Sequence, residues 1–138
     1  PMFIYQEFID AKCVNTMSEM ISVARLAKEK SWGSMCIVAP PFHQLRSFLT
    51  IVTALDREYP DLLVYNVLGS SLSWMEKAVH SQGVLTGNRA DLFLQELMRI
   101  EAYQTSVSTH PLLMPLASIE RGLMYLDERD SRAKKGKI

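Results

Sequence analysis

The chain of 138 residues predicts an α/β domain of three layers, Rossmann-like, with a short parallel sheet and additional C-terminal helices. Three observations lead there. Short apolar runs at residues 2–7, 35–39 and 62–68 alternate with stretches of helical spacing, the strand-helix-strand order of right-handed crossovers and a parallel sheet. The second and third runs are apolar at nearly every position, as in strands covered on both faces. Capping and breaking residues mark the boundaries between them.

Composition bounds the rest. Hydrophobic residues make up 48% of the chain, enough for one domain with a core, expected over residues 1–132, followed by a flexible basic tail at 133–138. Fifteen basic and fifteen acidic residues cancel to a formal charge of zero. That leaves no global attraction for nucleic acid or an anionic membrane, so neither is expected as a partner and any ligand is bound locally. The apolar runs are far shorter than the roughly 20 residues of a membrane span, and no basic then apolar leader opens the chain, which points to a soluble protein in the cytoplasm. The two cysteines, Cys13 and Cys36, have no metal-binding spacing, and Cys36, inside an apolar run, is expected to be a small buried thiol.

Residues 2–7 read as the first strand. Thr16 with Glu19 three residues later forms a capping box, and Met17, Met20, Ile21, Ala24 and Ala27 make one apolar face of a helix over residues 17–32, with Gly33 placed to end it. Residues 35–39 are the second strand, stopped by Pro40 and Pro41. Leu45, Phe48, Leu49, Val52 and Leu55 repeat the helical spacing over 43–59 until Pro60, and residues 62–68 form the third strand. A short helix over 71–81, a glycine-containing loop over 82–88, a long helix over 89–103 with Leu92, Leu97, Ile100 and Tyr103 at helical spacing, and a final helix over 117–129 with Ile119, Leu123 and Leu126 inward complete the chain.

The stretch Pro40-Pro41-Phe42-His43-Gln44-Leu45-Arg46 carries the chemistry. In an open parallel sheet, ligands bind beyond the carboxyl ends of the strands, where loops lead into helix N-termini. His43 and Arg46, three apart at a helix start, share one side of its first turn, where arginine offers a fork of donors and histidine a donor or a proton acceptor. Asn15 and Thr16 hold the equivalent place after the first strand, and Glu7 ends that strand. Each has a plainer reading as a helix cap, a surface histidine or a solvated arginine. Their common placement on one rim of the sheet is what makes them candidates.

Glu7 at a strand end, Asn15-Thr16 opening a helix, and an apolar strand running into His43-Gln44-Leu45-Arg46 together resemble the second half of the YdcF, SanA and ElyC family, a bacterial domain group of unknown function. The similarity continues through Trp74, the loop Ser81-Gln82-Gly83-Val84-Leu85-Thr86-Gly87, and Glu96-Leu97-Met98-Arg99-Ile100 followed by Tyr103. It covers the family's C-terminal half only; the glycine-rich first strand of the earlier half has no counterpart here. Met20 stands where the family commonly has asparagine, and the second strand ends Val38-Ala39-Pro40-Pro41 rather than in Val-Thr-Ser, differences that weigh on catalysis more than on binding.

The resemblance implies a protein that binds, and in an active form transforms, a small anionic or nucleotide-type molecule. Arg46, Asn15 and Thr16 are then the ligand-binding residues, and Glu7 and His43 the candidates for proton transfer. A Rossmann-like domain is compatible with an S-adenosylmethionine-like or nucleotide ligand, and no residue selects one. No metal is expected. The alternative is a non-catalytic interaction or oligomerisation module with a vestigial site. In either case a sheet of three strands leaves an edge to be covered by self-association, by a second chain or by the C-terminal helices.

Overall fold

The computed structural model describes residues 15–69, 73–79, 86–105 and 115–136. The expected first strand, with Glu7 and Cys13, lies outside them. The described chain is mixed α/β, with four α-helices, one parallel pair of strands and one antiparallel pair: α1 (Thr16–Glu29), β1 (Ser34–Ala39), a 3-10 turn (Pro41–His43), α2 (Gln44–Glu58), β2 (Leu63–Leu68), β3 (Lys77–Val79), β4 (Thr86–Asn88), α3 (Arg89–Thr105) and α4 (Ile119–Lys135).

The start of α1 differs from the sequence expectation by one residue. Asn15, in extended conformation, is the N-cap: its Oδ1 accepts from Ser18 N at 2.9 Å while Ser18 Oγ lies 3.3 Å from Asn15 N, so the reciprocal pair is Asn15 with Ser18 rather than Thr16 with Glu19. Asparagine is as good a cap as any residue, and taking it one position earlier leaves Thr16 as the first helical residue. The helix also ends before Gly33. Trp32 N donates to Ala27 O at 2.9 Å and Ser31 N to Lys28 O at 3.1 Å, a Schellman closure in which Ser31 takes the left-handed position with φ 54°.

β1 and β2 pair in parallel, Ser34 opposite Leu63 through Ala39 opposite Leu68, as the crossover pattern predicts for these two strands. They are not covered on both faces. Ile37 and Ala39 are buried while Cys36 and Val38 are exposed, Val38 at 65%, because the pleat sends alternate residues to opposite sides and no described helix lies over the second side. The buried thiol expected at Cys36 is therefore an exposed one.

α2 is the centre of the molecule. Every residue from Arg46 to Leu55 is buried, and the helix packs on α1, α3, α4 and both parallel strands. Its two buried threonines are hydrogen-bonded: Thr50 Oγ1 donates to Arg46 O at 2.6 Å, and Thr53 Oγ1 donates to Leu49 O and accepts from Ala117 N, both at 2.8 Å. α4 approaches α2 at Gly122, where a Cβ would lie 3.0 Å from Leu49 Cδ2 and 3.2 Å from Phe48 Cε1. This rotates the expected inward face. Gly122 and Tyr125 are buried, with Leu126 packed against the core, while Ile119 and Leu123 face outward.

Three further expectations are corrected. Residues 77–79 and 86–88 are the strands of an antiparallel pair rather than parts of a helix and a loop, with Lys77 opposite Asn88. In α3, Leu92 and Ile100 point inward as the spacing predicts, but Leu97 and Tyr103 are exposed and Glu96 is buried in their stead. The basic tail is helical through Lys135, since Arg132, Lys134 and Lys135 in the last turn of α4 complement the partial negative charge of a helix C-terminus.

The left-handed Ser31 carries a steric cost that glycine avoids. Ser31→Gly is expected to raise stability by about 0.5–1 kcal/mol in urea denaturation, with an unchanged slope.

Candidate functional site

The strand stop at Pro40 and Pro41 leads into the 3-10 turn and at once into α2, which places His43 at the N-cap position of α2 and Arg46 on its first turn. The two converge as their spacing predicts, on a residue of α3. His43 Nδ1 lies 2.8 Å from Glu96 Oε2, Arg46 Nε donates to the same oxygen, and Arg46 Nη2 reaches Oε1 at 3.4 Å. Arg99, one turn further along α3, adds its Nη1 at 3.5 Å from Oε1. Facing a carboxylate at 2.8 Å, Nδ1 carries a proton and donates it as a hydrogen bond, so the 3.2 Å approach of Arg46 Nη2 to that nitrogen is a contact and not a second hydrogen bond.

Glu96 is 1% exposed and Arg46 6%. Burial by itself pushes the Glu96 carboxyl up, but the hydrogen bonds from His43 and Arg46 and the Arg46 charge outweigh it and hold the group at about 2, against an ordinary 4.5. Glu96 is therefore ionised throughout the neutral range. Two guanidiniums, Arg46 and Arg99, thus stand around one carboxylate.

This arrangement alters what Arg46 does. Its Nε and Nη2 are both turned to Glu96, inside the protein, so it is not the rim cation that the sequence reading made it. Asn15 and Thr16 sit at the start of α1, with the Asn15 side chain engaged in the cap. Neither belongs to the walls of the two cavities next to α3. Glu7 lies outside the described residues.

The larger cavity, about 760 Å³, is apolar, with Leu45, Phe48 and Phe93 in its walls beside Trp74. The rings of Trp74 and Phe93 meet edge to face at 5.8 Å. Gln44 also contributes, although both polar atoms of its amide are buried without a hydrogen-bond partner. The second cavity, about 480 Å³, opens at the carboxyl ends of the parallel strands, bounded by Val38, Ala39, Pro40 and Gly69 and closed by Phe42, Val79 and Arg89. It has the location at which ligands of open parallel sheets are bound.

Arg89, the first residue of α3, is 8% exposed, and its Nη1 donates to Ser73 O and to Glu76 Oε2, both at 2.9 Å. The main chain around it is fully occupied. Arg89 N donates to Glu76 O at 3.1 Å, Ala90 N to Trp74 O at 3.0 Å and Asp91 N to Asn88 Oδ1 at 2.8 Å. Arg89 and Glu96 are the two charged residues that the sequence reading left out of the candidate site. The available signal was the spacing Arg89, Leu92, Glu96, Ile100, which puts all four on one stripe of α3, and that stripe is its buried face.

Comparison with known protein families, with curated proteins and with solved structures returned no match.

Removing one partner of a buried ion pair leaves the other charge uncompensated. Arg46→Ala is expected to lower stability by about 3–5 kcal/mol in chemical denaturation, and the apolar double variant Arg46→Met/Glu96→Leu to recover most of the loss.

The Glu96 carboxyl also sets an acid limit. Its folded value lies below its unfolded one, so on acidification the unfolded chain takes up the proton first: the contribution is complete above about pH 4.5 and is lost as pH falls toward 2. Wild-type protein is expected to lose about 3 kcal/mol over that interval from this group, at about 1.4 kcal/mol per unit. Urea midpoints measured against pH should show that component missing from Glu96→Gln.

Proposed function

We propose that the chain binds a small anionic or nucleotide-type molecule at the carboxyl ends of β1 and β2, within a Rossmann-like layered domain related to the second half of the YdcF, SanA and ElyC group. The observation that carries this reading is the crevice itself. It opens where Pro40 and Pro41 stop β1 and Gly69 follows β2, it has a buried arginine in its wall, and its volume falls within the roughly 300–1,000 Å³ usual for small-molecule sites.

In this reading the Glu96 cluster organises the site from behind. A histidine whose Nδ1 is held by a carboxylate has a fixed tautomer and ring orientation, so any transformation of the ligand would fall to His43, with Glu7 as the second candidate. An exposed thiol at Cys36 is consistent with a reducing compartment and supports a cytoplasmic setting.

A second reading, a non-catalytic interaction module, is favoured by the apolar residues that α3 and α4 turn outward, among them Met98 at 71% and Leu123 at 59% exposure.

Thermal unfolding in the presence of inorganic phosphate, adenosine monophosphate, a sugar phosphate and S-adenosylmethionine separates the two. A bound ligand stabilises by about 2.7 kcal/mol at a hundred times its dissociation constant, so at least one of the four should raise the Tm with a saturating concentration dependence. No shift with any of them, together with a mass by light scattering that grows with protein concentration, would establish the interaction module instead.

A further inference from the structure

Buried arginines normally have their donors paired, because an unpaired polar group away from water costs free energy that folding does not return. Arg46 turns Nε and Nη2 to Glu96, whereas Arg89 engages only Nη1 and keeps Nε and Nη2 within reach of solvent. Nη1 of Arg89 serves both Ser73 O and Glu76 Oε2, while among the described residues Nε and Nη2 have no hydrogen-bond partner, on a side chain that is only 10% exposed. These two nitrogens form the side edge of the guanidinium, the edge that takes two oxygens of one carboxylate or phosphate in parallel. Arg89 is also part of the wall of the crevice at the strand ends.

The amides of the α3 N-terminus are not the receptor, since the first three are already bonded to Glu76 O, Trp74 O and Asn88 Oδ1. The other described residues of its wall, among them Val38, Phe42, Ala78 and Val79, are apolar. One unpaired cationic fork in an apolar crevice defines its ligand by chemistry: an oxyanion at one end and an apolar group at the other.

We propose that the Nε and Nη2 edge of Arg89 is the anion receptor of the crevice, and that the site takes a small organic oxyanion, a phosphate monoester or a carboxylate carrying an apolar group. The assignment rests on the anionic-ligand reading above and moves its charge contact from Arg46 to Arg89. Glu76, which shares the guanidinium through Nη1 and is itself exposed, limits the positive charge offered and favours a ligand of low charge.

Isothermal titration of the whole chain with phenyl phosphate and with benzoate tests it, using Arg89→Gln and Val79→Trp beside wild type. Val79 is 64% exposed on a strand and lines the crevice, so a tryptophan there is expected to fill the space without disturbing the fold. The expected result is saturable binding of at least one probe, weakened tenfold or more by each substitution and unchanged in Arg25→Ala, whose arginine pairs with Glu58 on an exposed surface. Binding of phenyl phosphate alone assigns a phosphate ester, and binding of benzoate alone a carboxylate. If Arg89→Gln remains folded and binds as wild type does, the assignment is overturned while the anionic reading stands. Should Arg89→Gln fail to fold, Val79→Trp decides: retained affinity overturns the assignment and lost affinity upholds it. Failure of wild type to bind either probe overturns the assignment, and failure with phosphate, adenosine monophosphate, sugar phosphate and S-adenosylmethionine as well removes the reading beneath it.

Discussion

The buried carboxylate of Glu96 is the constraint on which the second half of the molecule depends. An ionised carboxyl at 1% exposure is tolerated only where charge and hydrogen bonds offset its desolvation, and the groups that do so, His43 and Arg46, stand on the first turn of α2. α3 therefore cannot slide or rotate against α2 without stranding that charge. Apolar contacts at Leu92 and Ile100 are non-directional and would accept neighbouring registers; the carboxylate accepts one. Fixing Glu96 also fixes Arg89, seven residues earlier on the same stripe and so about 10 Å along the helix at 1.5 Å per residue. The interior ion pair thus sets the position of the arginine in the crevice.

A second set of polar contacts defines where the sheet ends. Leu63 N donates to Gly33 O, so the odd residues of β2 point their main-chain groups toward β1 and the even ones outward. That outward edge is covered by side chains of α4. Tyr125 Oη accepts from Val64 N at 2.8 Å and donates to Leu62 O at 2.7 Å, and Arg129 Nη1 donates to Val64 O at 3.1 Å while its guanidinium lies 4.7 Å over the Tyr65 ring. Where its donors and acceptors are occupied in this way, over Leu62 and Val64, the edge no longer invites another strand. The same contacts explain why α4 turns Gly122 and Tyr125 inward, where simple apolar counting favoured Ile119 and Leu123: the hydroxyl and the close approach to Phe48 and Leu49 determine the rotation.

These two features separate what was legible in the sequence from what was not. The parallel pairing of β1 and β2, the helical span of α2, the end of β1 at Pro40 and the convergence of His43 and Arg46 all follow from local chemistry, from β-branched runs, proline and spacing. What those side chains converge on does not. Glu96 is fifty residues from Arg46, and a glutamate between apolar helix positions reads as solvated unless the cations facing it are already known. The exposed second face of β1 was missed because an all-apolar run reads the same whether or not the chain covers both sides. The antiparallel pair was missed because three-residue strands such as Lys77–Val79 and Thr86–Asn88 are too short to show a period.

The two buried arginines beside α3 illustrate why burial and charge alone do not locate a site. Arg46 lies at the position the sequence favoured, and its Nε and Nη2 are spent on holding Glu96; a ligand anion at those nitrogens would have to take them from a carboxylate buried in the core. Arg89 is nearly as buried, but its neighbours take one nitrogen and leave the side edge of the guanidinium without a partner, on a residue that lines an apolar crevice. A charge neutralised within the fold stabilises the fold whether or not a ligand is bound. A guanidinium held in place through Nη1, with its other edge open to solvent, loses little further freedom when a ligand meets that edge. On that argument the crevice is prepared for its anion by Arg89, and the Glu96 cluster contributes by keeping Arg89 where it is.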